Sequence, residues 1–437
     1  MKRRLISIPF FLLRSTTAGA ALLTGLLQTF VFAHVLSPER FSIFILVAAI
    51  GYSLWLIDLG IVKILFVRLR ARFLTGDRSD AVAGHATAVV LFYFGLVSTG
   101  ALLCFIFMAT QTSATAREAA EFGLFFWFIA LNLVWFALRN ISIAVDEYVL
   151  FEVLETVRRA GYFIALAAVL FGLPLIVMLI ALNALWAAVL AVCIRRMIQS
   201  AALLPRIRGF FVNLRSFVRA NRAELARSGT YAGSEIFIYN YPYFVVPLLF
   251  GLGAPPIILD TSFKVFRGGS TVFGAVCDIL VPRQTSALAE RDGPTLVRAT
   301  LLAAALCALP AAVVSLILLI GADRLFAILL GSAATMPAAV TPILIVLLFA
   351  DLTKMVTHSV LVHAGFFRDV ARIGMGVAAA MAALGAFAIA THLDLVHFLQ
   401  AYAAVYVCAA LAATVMMIRG PFRLAHQGTA VAQPAIR

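Results

Sequence analysis

Five polar side chains recur along one long apolar stretch in the second half of the sequence. They are Asp260, Lys264, Arg267, Thr271 and Asp278. Their offsets of 4, 7, 11 and 18 from the first return to nearly one helical face, since 18 residues make five helical turns. A charge near the bilayer centre costs about 2.5–3.5 kcal/mol, so this stripe cannot face lipid. We expect a wall of a water-filled cavity; the alternative is intrahelical pairing of Asp260 with Lys264 against a neighbouring helix.

Other apolar stretches also carry polar side chains that lipid would not accept. They are Arg14 in the first, Asp58 in the second, Asn132, Arg139 and Asn140 in the fourth, Glu235, Tyr239 and Asn240 in the seventh, and Asp351 with Lys354 in the tenth. Structural roles are the alternatives to functional ones. Arg14 would snorkel to the membrane boundary, Asp58 would form a hydrogen bond with a neighbouring helix, and Asp351 would pair with Lys354 one turn away. Charged positions in both halves nonetheless favour a central polar cavity in which cations at least match anions.

Composition identifies the element that must position these side chains as a membrane-spanning helix. The 437 residues are 63% hydrophobic and only 12% charged, with a mean hydropathy of +1.04. Soluble domains are roughly 45–50% apolar and about 25% charged, which excludes a soluble enzyme. The net charge of +14 comes from basic residues in the gaps between apolar runs, the pattern of topology selection, so it does not indicate nucleic acid.

About twelve stretches are long enough to cross ~30 Å of hydrocarbon. They lie near residues 8–36, 41–65, 83–109, 122–145, 161–173, 175–194, 231–250, 257–280, 299–320, 338–362, 373–391 and 398–418. The fifth and sixth could be one bent helix interrupted by Gly172 and Pro174. Two spans are favoured because Arg158 with Arg159 and Arg195 with Arg196 then lie on the same side of the membrane.

The distribution of Lys and Arg predicts that both termini are cytoplasmic. The segments then placed inside hold 25 Lys and Arg, against three outside, Arg40, Arg117 and Arg324. The amino terminus resembles a signal peptide, but Arg14 splits its apolar run, so we expect an uncleaved first span. The five cysteines lie singly in apolar runs, and we expect free thiols.

The stretch 195–227 carries eight arginines and divides six spans from six. We therefore predict an all-α polytopic protein: an amino-terminal lobe over 1–198, a basic cytoplasmic linker over 199–228, and a carboxy-terminal lobe with a short tail over 229–437. Two six-helix lobes around a central cavity are typical of transporters. A topogenic loop lying on anionic lipid headgroups would account for the arginines equally well.

Short motifs at matching positions resemble one family. LSPERF at 36–41 leads into the second span, with Ser42 in place of the usual glycine, and DLG at 58–60 lies late in that span. The second half contains FK at 263–264, PRQTS at 282–286, LLG at 329–331, PAA at 337–339 and PIL at 342–344. The sequence is similar in these motifs to O-antigen flippase-like polysaccharide flippases of the multidrug/oligosaccharidyl-lipid/polysaccharide exporter (MOP) superfamily.

That resemblance implies a non-enzymatic exporter in polysaccharide biosynthesis, including lipopolysaccharide and exopolysaccharide. Such a protein turns an oligosaccharide linked to a polyprenyl diphosphate from the inner to the outer leaflet of the bacterial inner membrane by alternating access. Its partners would be that lipid-linked glycan, the bilayer and polysaccharide polymerase or export machinery.

A diphosphate bears about two negative charges and needs cations at membrane depth. We expect Lys264 and Arg267 to supply them first, with Arg14 and Arg139 in the first half. Tyr239 and Asn240 are expected to meet sugar hydroxyls. For ion coupling or cavity ion pairs, the candidates are Asp58, Asp260, Asp351 and Lys354.

No cofactor, metal or catalytic residue is expected. The sequence lacks a GxxxxGK[ST] loop, so ATP would not drive transport directly, and His358 and His363 are five apart rather than the four of a helical metal pair. One alternative is a drug or metabolite antiporter of the same superfamily, which the cation-rich spans disfavour. Another is a membrane glycosyltransferase or polymerase, which the short outer gaps at 110–121 and 321–337 disfavour.

Overall fold

The computed structural model describes residues 8–76, 80–205 and 209–426, with side chains from residue 19 onward except at 21, 22 and 227. These described residues form helices and no strand. Fifteen α-helices follow in chain order: α1 (Ile8–Val35), α2 (Pro38–Ser53), α3 (Ile61–Thr75), α4 (Asp80–Gln111), α5 (Ala116–Ala144), α6 (Tyr148–Leu170), α7 (Leu175–Gln199), α8 (Phe210–Asn240), α9 (Pro242–Phe250), α10 (Ala254–Glu290), α11 (Gly293–Leu330), α12 (Val340–His363), α13 (Phe367–Thr391), α14 (Leu395–Met417) and α15 (Arg423–His426).

Nine of the described helical segments are long and apolar enough to cross a membrane. They are Pro38–Asp58, α4, α5, α7, α10, α11, α12, α13 and Leu395–Ala425. The chain thus has a multi-pass membrane architecture. Adding α1, α6 and α8, which overlap the remaining sequence-predicted spans, gives about twelve crossings and confirms the predicted all-helical fold class.

Helix starts follow local capping chemistry. Ser37 precedes Pro38 at the start of α2, and its hydroxyl accepts a hydrogen bond from the backbone N–H of Arg40. Thr115 and Glu118 form a reciprocal capping box at α5. These residues satisfy amide groups that the first helical turn leaves without partners, and they define where each apolar span begins.

The second span ends earlier than the sequence predicts. A single helix over 41–65 was expected, but α2 ends at Ser53 and a short 3-10 turn (Leu54–Asp58) leads into α3. Leu59 and Gly60 both adopt left-handed backbone angles there. A Cβ on Gly60 would lie 2.1 Å from the Ser228 hydroxyl oxygen on α8, so this turn requires glycine for both conformation and space.

The fifth span also differs from its expected bounds, because α6 begins at Tyr148 rather than near residue 161. A turn at 171–174 separates it from α7, which confirms two helices instead of one bent helix. The additional turns of α6 carry four charged residues that the sequence analysis placed in a cytoplasmic gap. They are Glu152, Glu155, Arg158 and Arg159.

The chain forms two compact units. The first contains Met1–Thr261 and Phe326–Thr335, and the second contains Ser262–Leu325 and Met336–Arg437. The predicted lobe boundary at 199–228 remains a prediction. In the first unit, α5 is the most buried span and packs against α2, α4 and α7; in the second, α12 is the most buried and packs against α14.

Outer helices carry the apolar surface expected of a lipid-facing wall. On α11, Leu309, Leu319 and Ile320 are exposed, with Ile320 at 80%. Most of α13 is likewise unburied. Exposed aliphatic side chains on helices of spanning length are stable only where hydrocarbon replaces water.

Candidate functional site

Polar side chains collect at two buried places, one in each unit, and we describe each separately. The first lies on α6, where Glu152, Glu155, Arg158 and Tyr162 are all less than 9% exposed. Their spacing of three and four residues puts them on one helical face. Arg159 adjoins this face and remains 26% exposed in its side chain.

Glu155 accepts three hydrogen bonds in the first unit and forms an ion pair with a second arginine. Its Oε1 accepts from Arg158 Nη2 at 2.8 Å and lies 2.6 Å from Arg159 Nη2. Its Oε2 accepts from Arg158 Nε and from Trp135 Nε1 of α5, both at 2.8 Å. A carboxylate has about four acceptor positions, so Glu155 is saturated.

Two tryptophans complete this cluster. The Arg158 guanidinium lies 4.5 Å from the ring centroid of Trp186 on α7, and Trp135 stacks on Phe151 at 4.1 Å. Such cation–π contacts are worth about 2 kcal/mol when desolvated. We call Glu155, Arg158, Arg159, Trp135 and Trp186 the α6 cluster; it joins α5, α6 and α7 and contains two cations around one carboxylate.

The second place lies on α12 in the second unit. Asp351 is 0% exposed, and its carboxylate accepts hydrogen bonds from Ser270 Oγ of α10 at 2.5 Å and Tyr406 OH of α14 at 2.8 Å. Lys354 Nζ lies 3.5 Å from the same Tyr406 oxygen and 5.0 Å from its ring centroid. We call Asp351, Lys354, Ser270 and Tyr406 the α12 cluster.

Aromatic rings surround the α12 cluster. Phe263 and Phe266 of α10 and Tyr402 and Tyr406 of α14 are all fully buried. The Phe266 and Tyr406 ring centroids are 5.3 Å apart, and so are those of Phe263 and Tyr402. This packing excludes water, which strengthens the attraction between the two charges of the cluster.

Lys264 and Arg267, the expected anion-binding residues, are both half-buried on α10. The Arg267 guanidinium lies 6.0 Å from the ring centroid of Phe263. Along the predicted polar stripe, exposure rises in chain order: Asp260 is buried, these two cations are half-buried, and Thr271 and Asp278 are exposed. One spanning helix therefore presents cations at partly accessible positions.

Asp58 has a defined structural position in the first unit. Its Oδ1 accepts from Tyr93 OH at 2.6 Å and from the Val62 amide at 3.1 Å, and its Oδ2 accepts from the Gly60 amide at 3.1 Å. The side chain thus caps the start of α3 and ties it to α4. This is the arrangement that one sequence alternative, a helix–helix hydrogen bond, anticipated.

The other expected site residues are separated along the chain. Asp260 is buried and accepts from Tyr243 OH at 3.3 Å. Asn240 is buried, and Tyr239 and Arg139 are half-buried. Arg14 belongs to α1, but its side chain lies outside the described residues, as does the whole tail after residue 426.

The sequence analysis missed the α6 cluster. The charged residues at 152, 155, 158 and 159 lower the mean hydropathy of this segment, so the sequence predicts a cytoplasmic loop there. Mean hydropathy takes no account of ion pairs between the charges. A usable signal was present: the i,i+3 and i,i+4 spacing of Glu155 with Arg158 and Arg159 is that of intrahelical ion pairs. The two tryptophan partners come from other helices, and no local pattern identifies them.

The described part of the chain also contains side chains of the types that bind metals or act as thiols. There, no group of three or more His, Cys, Asp or Glu side chains is placed to hold a metal ion. The five cysteines are free thiols, and Cys277 of α10 and Cys307 of α11 share one apolar cluster.

No family model matches the sequence, and no curated protein is similar enough to match it. Solved structures of membrane transporters do match in three dimensions. A Vibrio cholerae MATE transporter mutant has a TM-score of 0.59 at 12% identity, with 94% of this chain and 99% of that chain covered.

Two further MATE structures align over a similar extent. An inward-facing multidrug resistance MATE family transporter of the MOP superfamily has a TM-score of 0.57 at 13% identity, covering 96% of this chain and 100% of that chain. An outward-facing multidrug resistance MATE family transporter of the same superfamily has a TM-score of 0.56 at 14% identity, covering 95% of this chain and 97% of that chain. At such low sequence identities the likeness shows the fold alone. This chain has the fold of a polytopic helical transporter of the MATE type.

Proposed function

We propose that this protein is a transporter of the MOP superfamily that moves a polyprenyl-diphosphate-linked oligosaccharide from the inner to the outer leaflet. The observation that carries the proposal is a pair of half-buried cations, Lys264 and Arg267, on a helix of spanning length in a MATE-like fold. The flippase-like motifs of both halves support the same substrate class.

The mechanism follows from charge. A diphosphate leaving water loses its hydration, and cations held at membrane depth replace part of it. Lys264 and Arg267 are one helical turn apart, so both can meet one diphosphate. The sugar hydroxyls would bind neutral polar groups such as Tyr239 and Asn240. Translocation breaks no covalent bond, and the protein acts without catalytic residues.

The proposed setting is a bacterial inner membrane with both termini cytoplasmic. The lopsided distribution of arginine and lysine supports this orientation. In this orientation α6 begins on the cytoplasmic side of the membrane and α10 on the outer side. The glycan is released at the outer leaflet, where a polysaccharide polymerase or export machinery would receive it.

The test is a leaflet-resolved assay of polyprenyl-diphosphate oligosaccharides in the native host after depletion of the protein. We expect accumulation on the inner leaflet, reversed by the wild-type gene. The double variant Lys264→Ala, Arg267→Ala should fail to reverse it at equal surface expression. The matched control Arg283→Ala, Arg298→Ala removes two exposed cations from α10 and α11 and should restore transport.

A multidrug antiporter is the second candidate, favoured by the buried carboxylate of Asp351. Acidic groups inside such a transporter would bind cationic drugs or coupling ions. Growth of the depleted host with a panel of cationic drugs separates the two readings. Unchanged lipid-linked glycan with increased drug sensitivity would replace the flippase by the antiporter.

A further inference from the structure

The α6 cluster has more hydrogen-bond donors than the described chain has acceptors for. Glu155 is saturated by Arg158, Arg159 and Trp135. Arg159 Nε is buried and has no hydrogen-bond partner among the described residues. A buried donor without an acceptor destabilises the folded state, so a ligand that supplies acceptor oxygens would recover that energy.

A second donor without a partner lies beside the first. The Tyr162 hydroxyl, one turn further along α6, is buried and also lacks a partner within the described ranges. Tyr162 is within electrostatic range of Arg158, and both Tyr162 and Arg159 are within range of Tyr52 of α2. Both donors without a partner therefore belong to the same group of charged and polar side chains on α6.

Exposure identifies the residue that a ligand would meet. The Arg158 and Glu155 side chains are 9% and 8% exposed, whereas that of Arg159 is 26% exposed. Arg158 is held between Glu155 and the Trp186 ring, which fixes its orientation. Arg159 pairs with Glu155 through Nη2 in the described contacts, and its partly exposed side chain is the accessible part of the cluster.

Neighbouring acids define which anion fits. Glu152 is buried one turn earlier on α6, and Asp260 is within electrostatic range of Tyr162 while it accepts from Tyr243. These charges oppose any anion, so a ligand must offset the repulsion with several acceptor oxygens. A phosphoryl group has more of these than a carboxylate, and it can accept from a guanidinium group and a phenol together.

We propose that the α6 cluster, with Tyr162, is a binding site for a lipid phosphoryl group, distinct from Lys264 and Arg267. The predicted fifth span begins near residue 161, so Glu155 and Arg159 precede it by about 3–9 Å along α6, at 1.5 Å per residue. In the proposed orientation α6 starts at the cytoplasmic side, so this depth matches lipid headgroups of the inner leaflet. Resting on the proposed function, we infer that the site receives the diphosphate before translocation.

The test uses the full-length protein in phosphatidylcholine nanodiscs, with bound lipid measured by native mass spectrometry. The probes are undecaprenyl diphosphate, cardiolipin and inorganic pyrophosphate. For the lipid diphosphate we expect Arg159→Gln to weaken binding at least about tenfold, which corresponds to about 1.4 kcal/mol. Arg159→Lys should weaken it less, and Tyr162→Phe should weaken it without a change in net charge.

Two further variants separate binding from structure. Glu155→Gln removes a negative charge beside both arginines and should tighten binding, whereas a purely structural cluster would only lose stability. Arg372→Gln is the matched control, because Arg372 pairs with Asp369 three residues away on α13 but is 58% exposed. Its affinity for every probe should equal that of the wild type.

Each outcome decides the proposal. Equal affinity of Arg159→Gln and Arg159→Lys with wild type, for folded proteins of unchanged melting temperature, overturns it. Binding of pyrophosphate as tight as that of the lipids also overturns it, since the lipid would contribute nothing. Binding of cardiolipin through Arg159, without binding of the diphosphate, assigns the site to phospholipid and keeps the phosphoryl chemistry.

Failure of this inference is distinguishable from failure of the proposed function. If depletion of the protein causes no accumulation of lipid-linked glycan on the inner leaflet, but lipid binding still depends on Arg159, the flippase function is rejected and the binding site is retained. If Arg159→Gln binds the lipid diphosphate as tightly as the wild type, but the Lys264 and Arg267 double variant fails to flip the glycan, the binding site is rejected and the flippase function is retained.

Discussion

The two polar clusters differ in how their charges are balanced. In the α12 cluster one carboxylate, Asp351, and one ammonium, Lys354, are bridged by Tyr406, and all are buried. In the α6 cluster one carboxylate holds two guanidinium groups, and one of these is partly exposed. The α12 cluster is too buried to contact a large ligand, whereas the α6 cluster has hydrogen-bond donors without a partner among the described residues.

That difference separates a structural or proton-accepting role from a binding role. A buried pair with matched charges needs nothing further, and a change in the protonation of Asp351 would leave Lys354 uncompensated. A cluster with excess donors at an accessible edge gains energy from an anion. Burial alone therefore does not distinguish functional from structural charges in this membrane protein; the ratio of donors to acceptors does.

The largest expected effect is that of Asp351→Ala. It leaves the Lys354 ammonium buried without its carboxylate, and we expect a loss of about 3–5 kcal/mol in the free energy of unfolding. Urea or thermal unfolding in mild detergent would measure it. The double variant Asp351→Leu, Lys354→Met should recover most of the loss; no recovery would show that the two charges do not depend on each other.

Tyr406→Phe should have the next largest effect. It removes the hydroxyl that donates to Asp351 and faces Lys354, while the ring packing against Phe266 is retained. A hydrogen bond to a charged group is worth about 1.5–3 kcal/mol. Tyr402→Phe is the matched control, since the same ring change is made one helical turn away. An unfolding midpoint of Tyr406→Phe equal to that of the wild type would contradict the bridging role of Tyr406.

In the α6 cluster, Trp135→Phe should cost about 1–2 kcal/mol. The variant loses one of three hydrogen bonds to Glu155 and keeps a ring that can stack on Phe151. Trp127→Phe on the same helix is the control, because the Trp127 Nε1 donates to no described partner. A larger loss for Trp127→Phe would mean that ring packing, and not the contact with Glu155, sets the stability here.

The smallest expected effect on stability is that of Arg159→Gln. Its side chain is partly exposed and Glu155 keeps Arg158, so we expect less than about 1 kcal/mol. The same variant is expected to weaken lipid binding strongly. A stability loss as large as that of Asp351→Ala would erase the contrast between the two clusters.

Much of the fold was predictable because hydrophobic length is a strong signal in a membrane protein. The observed bounds of α4, α5, α7, α12, α13 and α14 lie within a few residues of the predicted spans. The separate α6 and α7 were predicted from charge parity. The break after Ser53 was not, because it depends on the left-handed turn at Leu59 and Gly60 and on its close contact with Ser228.

The candidate site was less predictable for a physical reason. Asp351 and Lys354 stand out because they interrupt an apolar run, whereas their bridging partner Tyr406 comes from α14 and carries no local signal. Glu155, Arg158 and Arg159 do not stand out, because four charges within eight residues lower the local hydropathy below that of a span. Their burial becomes favourable only through mutual pairing and two tryptophans from α5 and α7.

The pairing within α6 also bears on how the chain enters the bilayer during synthesis. Four isolated charges would oppose insertion of this segment, each by up to about 2.5–3.5 kcal/mol at the bilayer centre. Glu155 finds Arg158 and Arg159 on its own helix, so much of the neutralisation is available as soon as the helix forms. Trp135 precedes α6 in the chain and Trp186 follows it. The nascent segment can thus partition with Glu155, Arg158 and Arg159 already paired, before the rest of the protein has been made.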